Sequence, residues 1–316
     1  MNRRGVSAVV VSYNVRELLL NCLRSLEQAC ASGVLNEIVV VDNNSSDGSP
    51  HAVREHFPEV CVIDAPNRGY GAGSNLGVSL TSRDYVLILN PDTVVSANTV
   101  CRLAQHLDAN PDVAVCAPRL RYPTGDLQSS RRRFPARLTP IFESTIFQQW
   151  WPANPLKRRY HMEDSPEDEI QDVDWVVGAC LMVRRKAIDC VGGFDESFWM
   201  YCEETEWCWR FRRHGWRISY LPDVEIVHHE GASTGQNIPL RQLAFDRSRI
   251  ELQRRLYGRS TALAVEAVIR FGYFVQMIVE AAKWARGHRR NLRRQRVEFY
   301  RQLLLSRLRF DENQNR

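Results

Sequence analysis

The sequence predicts an α/β fold with a mainly parallel central sheet and a helical C-terminal extension. Three observations point there. Short runs rich in Val and Ile recur through the first 120 residues, amphipathic stretches separate them, and the pattern turns helical after residue 237. Strands that alternate with helices build βαβ units. Runs that are almost continuously apolar belong to strands covered on both faces.

The expected strands are SAVVVSY (7–13), EIVVVDN (37–43), VCVIDAP (60–66), DYVLILNPD (84–92) and VAVCAPRL (113–120). Between the first two, Leu18, Leu19, Cys22, Leu23 and Leu26 recur at spacings of three and four, one face of a helix. From 122 to 172 the pattern decays into Arg, Pro and Trp with an acidic run, MEDSPEDEIQD, which reads as a long, partly mobile excursion. Order resumes at DWVVGACLMVRR. GGFDESFWMY then leads into a helix, EETEWCWRFRR, with Gly215 as its stop. A strand, ISYLP, and a loop, EIVHHEGASTGQ, follow. The division expected is a catalytic domain over 1–237, with a donor half to about 120 and an acceptor half from 121, and a helical, basic region over 238–316.

Composition bounds the function classes. A chain of 316 residues, 44% hydrophobic and 25% charged, has ordinary soluble-protein composition. Ser7, Ser12, Tyr13 and Asn14 interrupt the first apolar run, which reads as a buried strand and not as a signal peptide. Nine cysteines without a CxxC pair argue against a zinc or disulfide scaffold and favour a reducing compartment. The net charge of +5 is concentrated: between Lys283 and Arg309 stand ten Lys or Arg against the single acid Glu298. A slightly acidic body with a basic tail suits an anionic lipid surface, or a merely solvated helical face, and no nucleic-acid recognition fold accompanies it. The apolar stretch TALAVEAVIRFGYFVQMIVEAAKWA is broken by Glu266, Arg270, Glu280 and Lys283, so an interfacial helix is expected before a membrane-spanning one.

In open α/β sheets ligands bind beyond the carboxyl ends of the strands. Here those ends are polar: Ser12, Tyr13 and Asn14; Asp42, Asn43 and Asn44; Asn67, Arg68 and Gly69; Asn90, Pro91 and Asp92. A second acidic cluster, Glu203, Glu204 and Glu206, opens the EETEWCWRFRR helix amid Phe198, Trp199, Tyr201, Trp207 and Trp209. Acids there favour the helix dipole, and aromatic faces also suit sugar rings. For Ser45, Ser46 and Asp47 turn and cap chemistry suffices.

The ordered set VVSYN, VDNNSSDGS, NRGYGAGSNLG, LNPDT, GGFDESFWMYCEETEWCWR and HHEGAS resembles the family 2 glycosyltransferases, most closely their bacterial rhamnosyltransferase-like branch, over roughly residues 6–256. Each string alone is weak; six in order are jointly specific. The resemblance implies a Rossmann-like GT-A fold and an inverting transfer from a nucleotide-sugar donor. It assigns Asp42 to the nucleotide base, with Ser12, Asn14, Asn67, Arg68 and Asn75 as further donor contacts. Family members commonly carry Asp-x-Asp where this chain has Asn90 and Asp92. The last carboxylate, Asp92, would hold Mg²⁺ or Mn²⁺, completed by a histidine, His228 before its neighbour His229. The first position departs from the pattern, which should weaken metal affinity unless the donor is present. The usual Glu-Asp pair is Glu203 and Glu204 here, and Glu204 takes the place of the general base.

The same resemblance implies a dTDP-rhamnose donor, a saccharide acceptor that is lipid-linked, and a role in bacterial envelope polysaccharide synthesis at the cytoplasmic side of the membrane. A UDP-hexose donor, or a catalytically degenerate carbohydrate-binding scaffold, is the alternative. A sugar-nucleotide pyrophosphorylase would need a Gly-rich basic loop after the first strand, and VSYNVRELLL has none.

Overall fold

A computed structural model describes residues 5–31, 33–143, 145–231, 238–306 and 308. Ser233, Thr234, Arg307 and Arg309 lie outside the described residues. The chain forms two compact units, one from 1–134 with 161–236, the other from 135–160 with 237–316.

In the first unit the chain runs β1 (Val6–Ser12), α1 (Arg16–Ala31), β2 (Leu35–Asp42), α2 (Ser49–His56), β3 (Cys61–Asp64), α3 (Tyr70–Ser79), β4 (Tyr85–Leu89), β5 (Thr93–Val94), α4 (Ala97–Ala109), β6 (Val113–Arg121), β7 (Leu127–Gln128) and β8 (Arg131–Arg132). Helices α5 (Thr139–Phe142), α6 (Ile146–Trp150) and α7 (Pro155–Tyr160) depart into the second unit. The first unit then resumes with β9 (Gln171–Asp172), β10 (Trp175–Val176), β11 (Cys180–Arg184), α8 (Arg185–Val191), α9 (Glu203–Arg213) and β12 (Arg217–His228).

The main sheet has the order β3-β2-β1-β4-β11-β6-β12-β5, with β7 on β6 and β9 on β12. The pairs β1/β2, β1/β4, β2/β3 and β6/β12 are parallel, as βαβ crossovers require. Strand β11 is antiparallel to both β4 and β6. Strands β1 and β4 are buried along their whole length, which explains their unbroken Val and Leu runs. Helix α3 lies so close to β1 that a Cβ on Gly77 would stand 2.3 Å from Val9 Cγ1. Cys22, Cys116, Cys180 and Cys208 are buried free thiols that pack as small apolar groups.

The acidic run expected to be partly mobile is tied to the sheet by arginines. Arg119 reaches Asp168 at 2.5 Å, Arg133 reaches Asp164 at 2.7 Å and Arg217 reaches Asp172 at 2.7 Å. These anchors sit on β6, beside β8 and on β12, partners that sequence spacing does not reveal.

The second unit is helical: α5 to α7 with α10 (Ile238–Tyr257), α11 (Arg259–Ala285) and α12 (Arg290–Leu305). Ile250, Ala262, Val265, Ile269 and Leu308 form its small core. Residues 135–160 are held there by Tyr257, whose hydroxyl donates to the Pro135 carbonyl at 3.0 Å, and by Arg249, which donates to the Glu143 carbonyl at 3.0 Å.

Candidate active site

Three groups of side chains meet at the carboxyl ends of the parallel strands and the start of α9. The first closes β1 and β2, where Ser12 and Asp42 are register partners. Asp42 Oδ2 accepts from the Ser45 amide at 2.7 Å, but Asp42 Oδ1 and Ser12 Oγ are buried and meet no hydrogen-bond partner. Buried polar atoms are normally paired, so both keep unused hydrogen-bonding capacity.

The second group is Asn90, Asp92 and His228. The turn after β4 is fixed by the Asn90 amide, which donates to the Ala179 carbonyl, and by Thr93 Oγ1, which donates to the Asn90 carbonyl. Strand β12 ends on His228 beside it, paired with Thr93 of β5. His228 Nε2 lies 3.3 Å from Asp92 Oδ1 and 3.3 Å from Asn90 Nδ2. Asp92 Oδ1 is another buried atom without a hydrogen bond. The ring of His229 is exposed, and only its backbone amide engages, on the Asp92 carbonyl.

The orientation of His228 is set from behind. Gln128 Nε2 donates to Glu230 Oε2 at 2.9 Å, a carboxylate that also accepts from Tyr122. That leaves Gln128 Oε1, 2.9 Å from His228 Nδ1, as an acceptor. The proton therefore sits on Nδ1, and the Nε2 lone pair faces Asp92 and Asn90. Gln128 and Glu230 escaped the sequence reading; β7 is two residues long and carries no periodic signal.

The third group is Glu203 and Glu204 at the head of α9. They follow two consecutive non-glycine residues in the left-handed region, Tyr201 at φ 69° and Cys202 at φ 64°. Such strain persists only where the surroundings enforce it, and here it aims the first turn of the helix. Glu203 is buried, whereas Glu204 retains some exposure and packs against Gly178, whose backbone amide hydrogen-bonds its carboxylate. Oε2 of each acid meets no donor. Burial, and then repulsion from Glu204, push the Glu203 carboxyl well above the usual range; burial raises Glu204 as well.

Tyr70 links the second and third groups. It is close enough to Glu203, Glu204 and Asp92 to feel all three charges, and its hydroxyl reaches the Gly178 carbonyl at 3.4 Å. Burial and these acids hold the phenol protonated, with its affinity for the proton raised.

The remaining expected residues serve the loops that frame this cleft. Asn14, at φ 52°, accepts from the Ser46 amide at 2.7 Å and joins the loops after β1 and β2. Asn67 Oδ1 accepts from Gly69. Asn75 spends its amide on both backbone atoms of Phe194, donating at 2.9 Å and accepting at 2.8 Å. Arg68 is mostly exposed and 3.5 Å from Glu196. Of the acids on α9, Glu206 is held by a two-pronged contact from Arg210, both at 2.9 Å. Of the aromatic residues, Phe198 and Trp207 are core, and Trp199 is 39% exposed.

Gly69 explains how the donor-side loop and the acidic pair keep register. At φ +101°, its position for a Cβ lies 2.2 Å from the Trp199 carbonyl oxygen, and the Tyr70 amide donates to that same oxygen at 3.0 Å. Gly69→Ala is expected to cost about 1–3 kcal/mol from backbone conformation alone, more with the clash. Chemical denaturation measures it, with a midpoint well below that of the wild type as the expected result.

Comparisons with known proteins identify the family. Residues 7–192, more than half the chain, match the family described as glycosyl transferase family 2. An N-acetylglucosaminyl-diphospho-decaprenol L-rhamnosyltransferase of Mycobacterium tuberculosis is 31% identical over 248 residues, covering 75% of this chain and 79% of that protein. A rhamnosyltransferase of Escherichia coli is 24% identical, covering 71% and 83%. Among solved structures, a Pyrobaculum calidifontis mannosyltransferase in complex with GDP-mannose and Mn²⁺ superposes with a TM-score of 0.54 at 18% identity, covering 90% of this chain and 76% of that one. The fold is thus the GT-A fold, and the chain belongs to the family 2 glycosyltransferases, in their rhamnosyltransferase-like branch.

Proposed function

We propose that this glycosyltransferase transfers rhamnose with inversion from dTDP-rhamnose to a lipid-linked saccharide in cell-envelope polysaccharide synthesis, working with a divalent cation at the cytoplasmic face of the membrane. The names of the relatives support the donor sugar and the acceptor class. The observation that carries the chemistry is that Ser12, Asp42, Asp92, Glu203 and Glu204 each hold a buried oxygen without a hydrogen-bond partner, the first three at the carboxyl ends of strands, where nucleotides bind in open α/β sheets.

In this reading Ser12 and Asp42 hydrogen-bond the nucleoside. The acceptor hydroxyl attacks the anomeric carbon from the face opposite the diphosphate. One C–O bond forms, the C–O bond to phosphate breaks, and the hydroxyl proton passes to Glu204. Tyr70, held protonated, keeps a neutral donor between the acids.

The donor set near Asp92 suits a hard divalent cation. It combines one carboxylate oxygen lacking a hydrogen bond, the amide group of Asn90, and an imidazole nitrogen whose lone pair is turned inward by Gln128. Among the described residues no trio of His, Cys, Asp and Glu side chains gathers there, and the donor's diphosphate would supply further oxygen ligands to a bound cation. A bound cation would neutralise charge on the departing diphosphate. Replacing Gln128 by Leu frees the His228 ring. Mn²⁺ affinity in the presence of dTDP is then expected to fall roughly 10–100-fold, read by paramagnetic resonance titration.

A donor panel tests the assignment. The purified protein is incubated with Mn²⁺ or Mg²⁺, thymidine- and uridine-diphosphate sugars and lipid-linked or synthetic saccharide acceptors, and displaced diphosphate is measured. Release with dTDP-rhamnose above the others is expected; preference for a UDP-hexose replaces the donor, and silence with every donor overturns the enzymatic reading.

A further inference from the structure

Helix α11 is built inside out. Three of its charged residues, Glu266, Arg270 and Glu280, which as a linear string interrupt an apolar run, are turned into the protein, whereas Arg259 in its first turn is exposed and Lys283 near its end is half-exposed. Glu266 and Glu280 are buried, and Arg270 bonds Glu266 at 3.0 Å and the Leu304 carbonyl at 2.5 Å. Glu280 accepts from Arg293 of α12 at 2.6 Å and from Lys283 at 3.3 Å. Between Leu263 and Ala282 none of the exposed positions carries a charge. Ala264, Ala267, Phe271, Phe274, Ile278 and Ala282 are exposed at successive spacings of three or four, one continuous stripe along the helix. Phe271, Phe274 and Ile278 are each 48–50% exposed, with Trp284 near the end at 47%. A helix bordering water shows the opposite arrangement, with charges outside and apolar residues within.

The next residues supply the complement. After α11 the chain turns at Gly287 and Arg289, and α12 packs back along α11. Arg286, Arg289, Arg290, Arg294 and Arg296 are exposed in this return, and Glu298 is the acid that faces solvent among the described residues of α12. An uncharged stripe of aromatic and aliphatic side chains beside exposed guanidinium groups matches an anionic bilayer interface: acyl chains for the stripe, phosphates for the arginines. By length and composition alone α11 could cross a membrane. Its other face, however, holds Glu266, Arg270 and Glu280 in pairs with each other and with α12, which a lone spanning helix would carry into hydrocarbon.

We infer that the Phe271–Phe274–Ile278 face of α11 lies in the surface of an anionic membrane, parallel to it, with the α11–α12 turn and α12 arginines on the headgroups. The inference deepens the proposed use of a lipid-linked acceptor and rests on it for purpose only, since the helix face is argued from its own residues. An enzyme whose acceptor is anchored in a bilayer gains encounter rate by residing there.

The test uses the full chain and vesicles of phosphatidylcholine with or without phosphatidylglycerol. Wild-type protein is expected to sediment with the anionic vesicles, less so as salt rises, and to lose tryptophan fluorescence to brominated acyl chains. A variant carrying Phe271→Ser, Phe274→Ser and Ile278→Ser alters exposed positions, so it should fold normally. It is expected to bind vesicles roughly tenfold or more weakly. Arg286→Gln with Arg289→Gln and Arg290→Gln should weaken binding and flatten the salt dependence. Transfer to a short water-soluble acceptor is measured in parallel and should be unchanged in both, so failure of the transferase reading shows separately from failure of the surface. Equal vesicle binding by wild type and the serine variant overturns the inference. So does a concentration-dependent dimer, seen by sedimentation velocity and abolished in the serine variant, which would seat a second copy on the stripe.

Discussion

Glu204→Gln should abolish transfer and at the same time make the protein more stable. Positioned general bases contribute roughly 10²–10⁴-fold to rate, so kcat should fall by that factor, while dTDP-rhamnose binding, measured calorimetrically, stays close to wild type. Stability moves the other way because Glu204 is a cost to the fold. Its carboxyl is raised by burial, and one of its oxygens lacks a donor. A carboxyl raised in the folded state contributes stability that is fully present below its unfolded value and is lost as pH rises through the folded value. At neutral pH the ionised form therefore weighs against folding. The glutamine variant should melt higher than wild type at neutral pH, and the gap should close in acid. The same shift governs catalysis, because a base must be ionised to work: the acid limb of the kcat profile should lie above the ordinary range for glutamate. Near-normal turnover in Glu204→Gln would move the base elsewhere.

Asp92→Asn should be the other crippling change. It removes the carboxylate of the proposed cation site, and a cation that stabilises the departing diphosphate supplies several kcal/mol, so turnover should fall by roughly 10³-fold or more. Binding of Mn²⁺ in the presence of dTDP should disappear with it, whereas thermal stability should hold, because Asp92 Oδ1 makes no hydrogen bond for the substitution to break. Chelation of the wild type should stop turnover and added Mn²⁺ restore it. Without nucleotide, the wild type itself should bind Mn²⁺ weakly, a consequence of Asn90 standing where the family commonly has a second acid. Full turnover in chelator would remove the cation from the mechanism.

The sheet and its strand ends were legible because burial on both faces leaves an unbroken Val, Ile and Leu record, and the polar residue that ends each run is then conspicuous. Ser12, Asp42 and Asp92 stand at such ends. What sequence could not separate is a polar side chain facing a cleft from the same side chain building its walls. Asn75 and Asn67 read as ligand contacts because they stand in a glycine-rich loop, yet Asn75 is committed to Phe194, 119 residues away. Glu206 is chemically like Glu204, but one helical turn delivers Arg210 to it. Between His228 and His229 the parity of β12 decides, turning the first inward and the second to solvent. Gln128, Tyr70 and Gly178 were missed because each acts through a contact made by tertiary packing. In α11 the charges interrupt the apolar string, but the direction each faces depends on helices α10 and α12. The grouping of residues 135–160 with the C-terminal helices likewise rests on hydrogen bonds from Arg249 and Tyr257.

The central claim, a single-base inverting transfer, is tested most directly by following the anomeric proton and carbon signals of dTDP-rhamnose by NMR as wild-type protein, Mn²⁺ and acceptor consume it. One equivalent of dTDP per glycoside formed is expected, with a product of opposite anomeric configuration from the donor. A glycoside formed with retained configuration would contradict it, as would the sugar appearing only as free rhamnose.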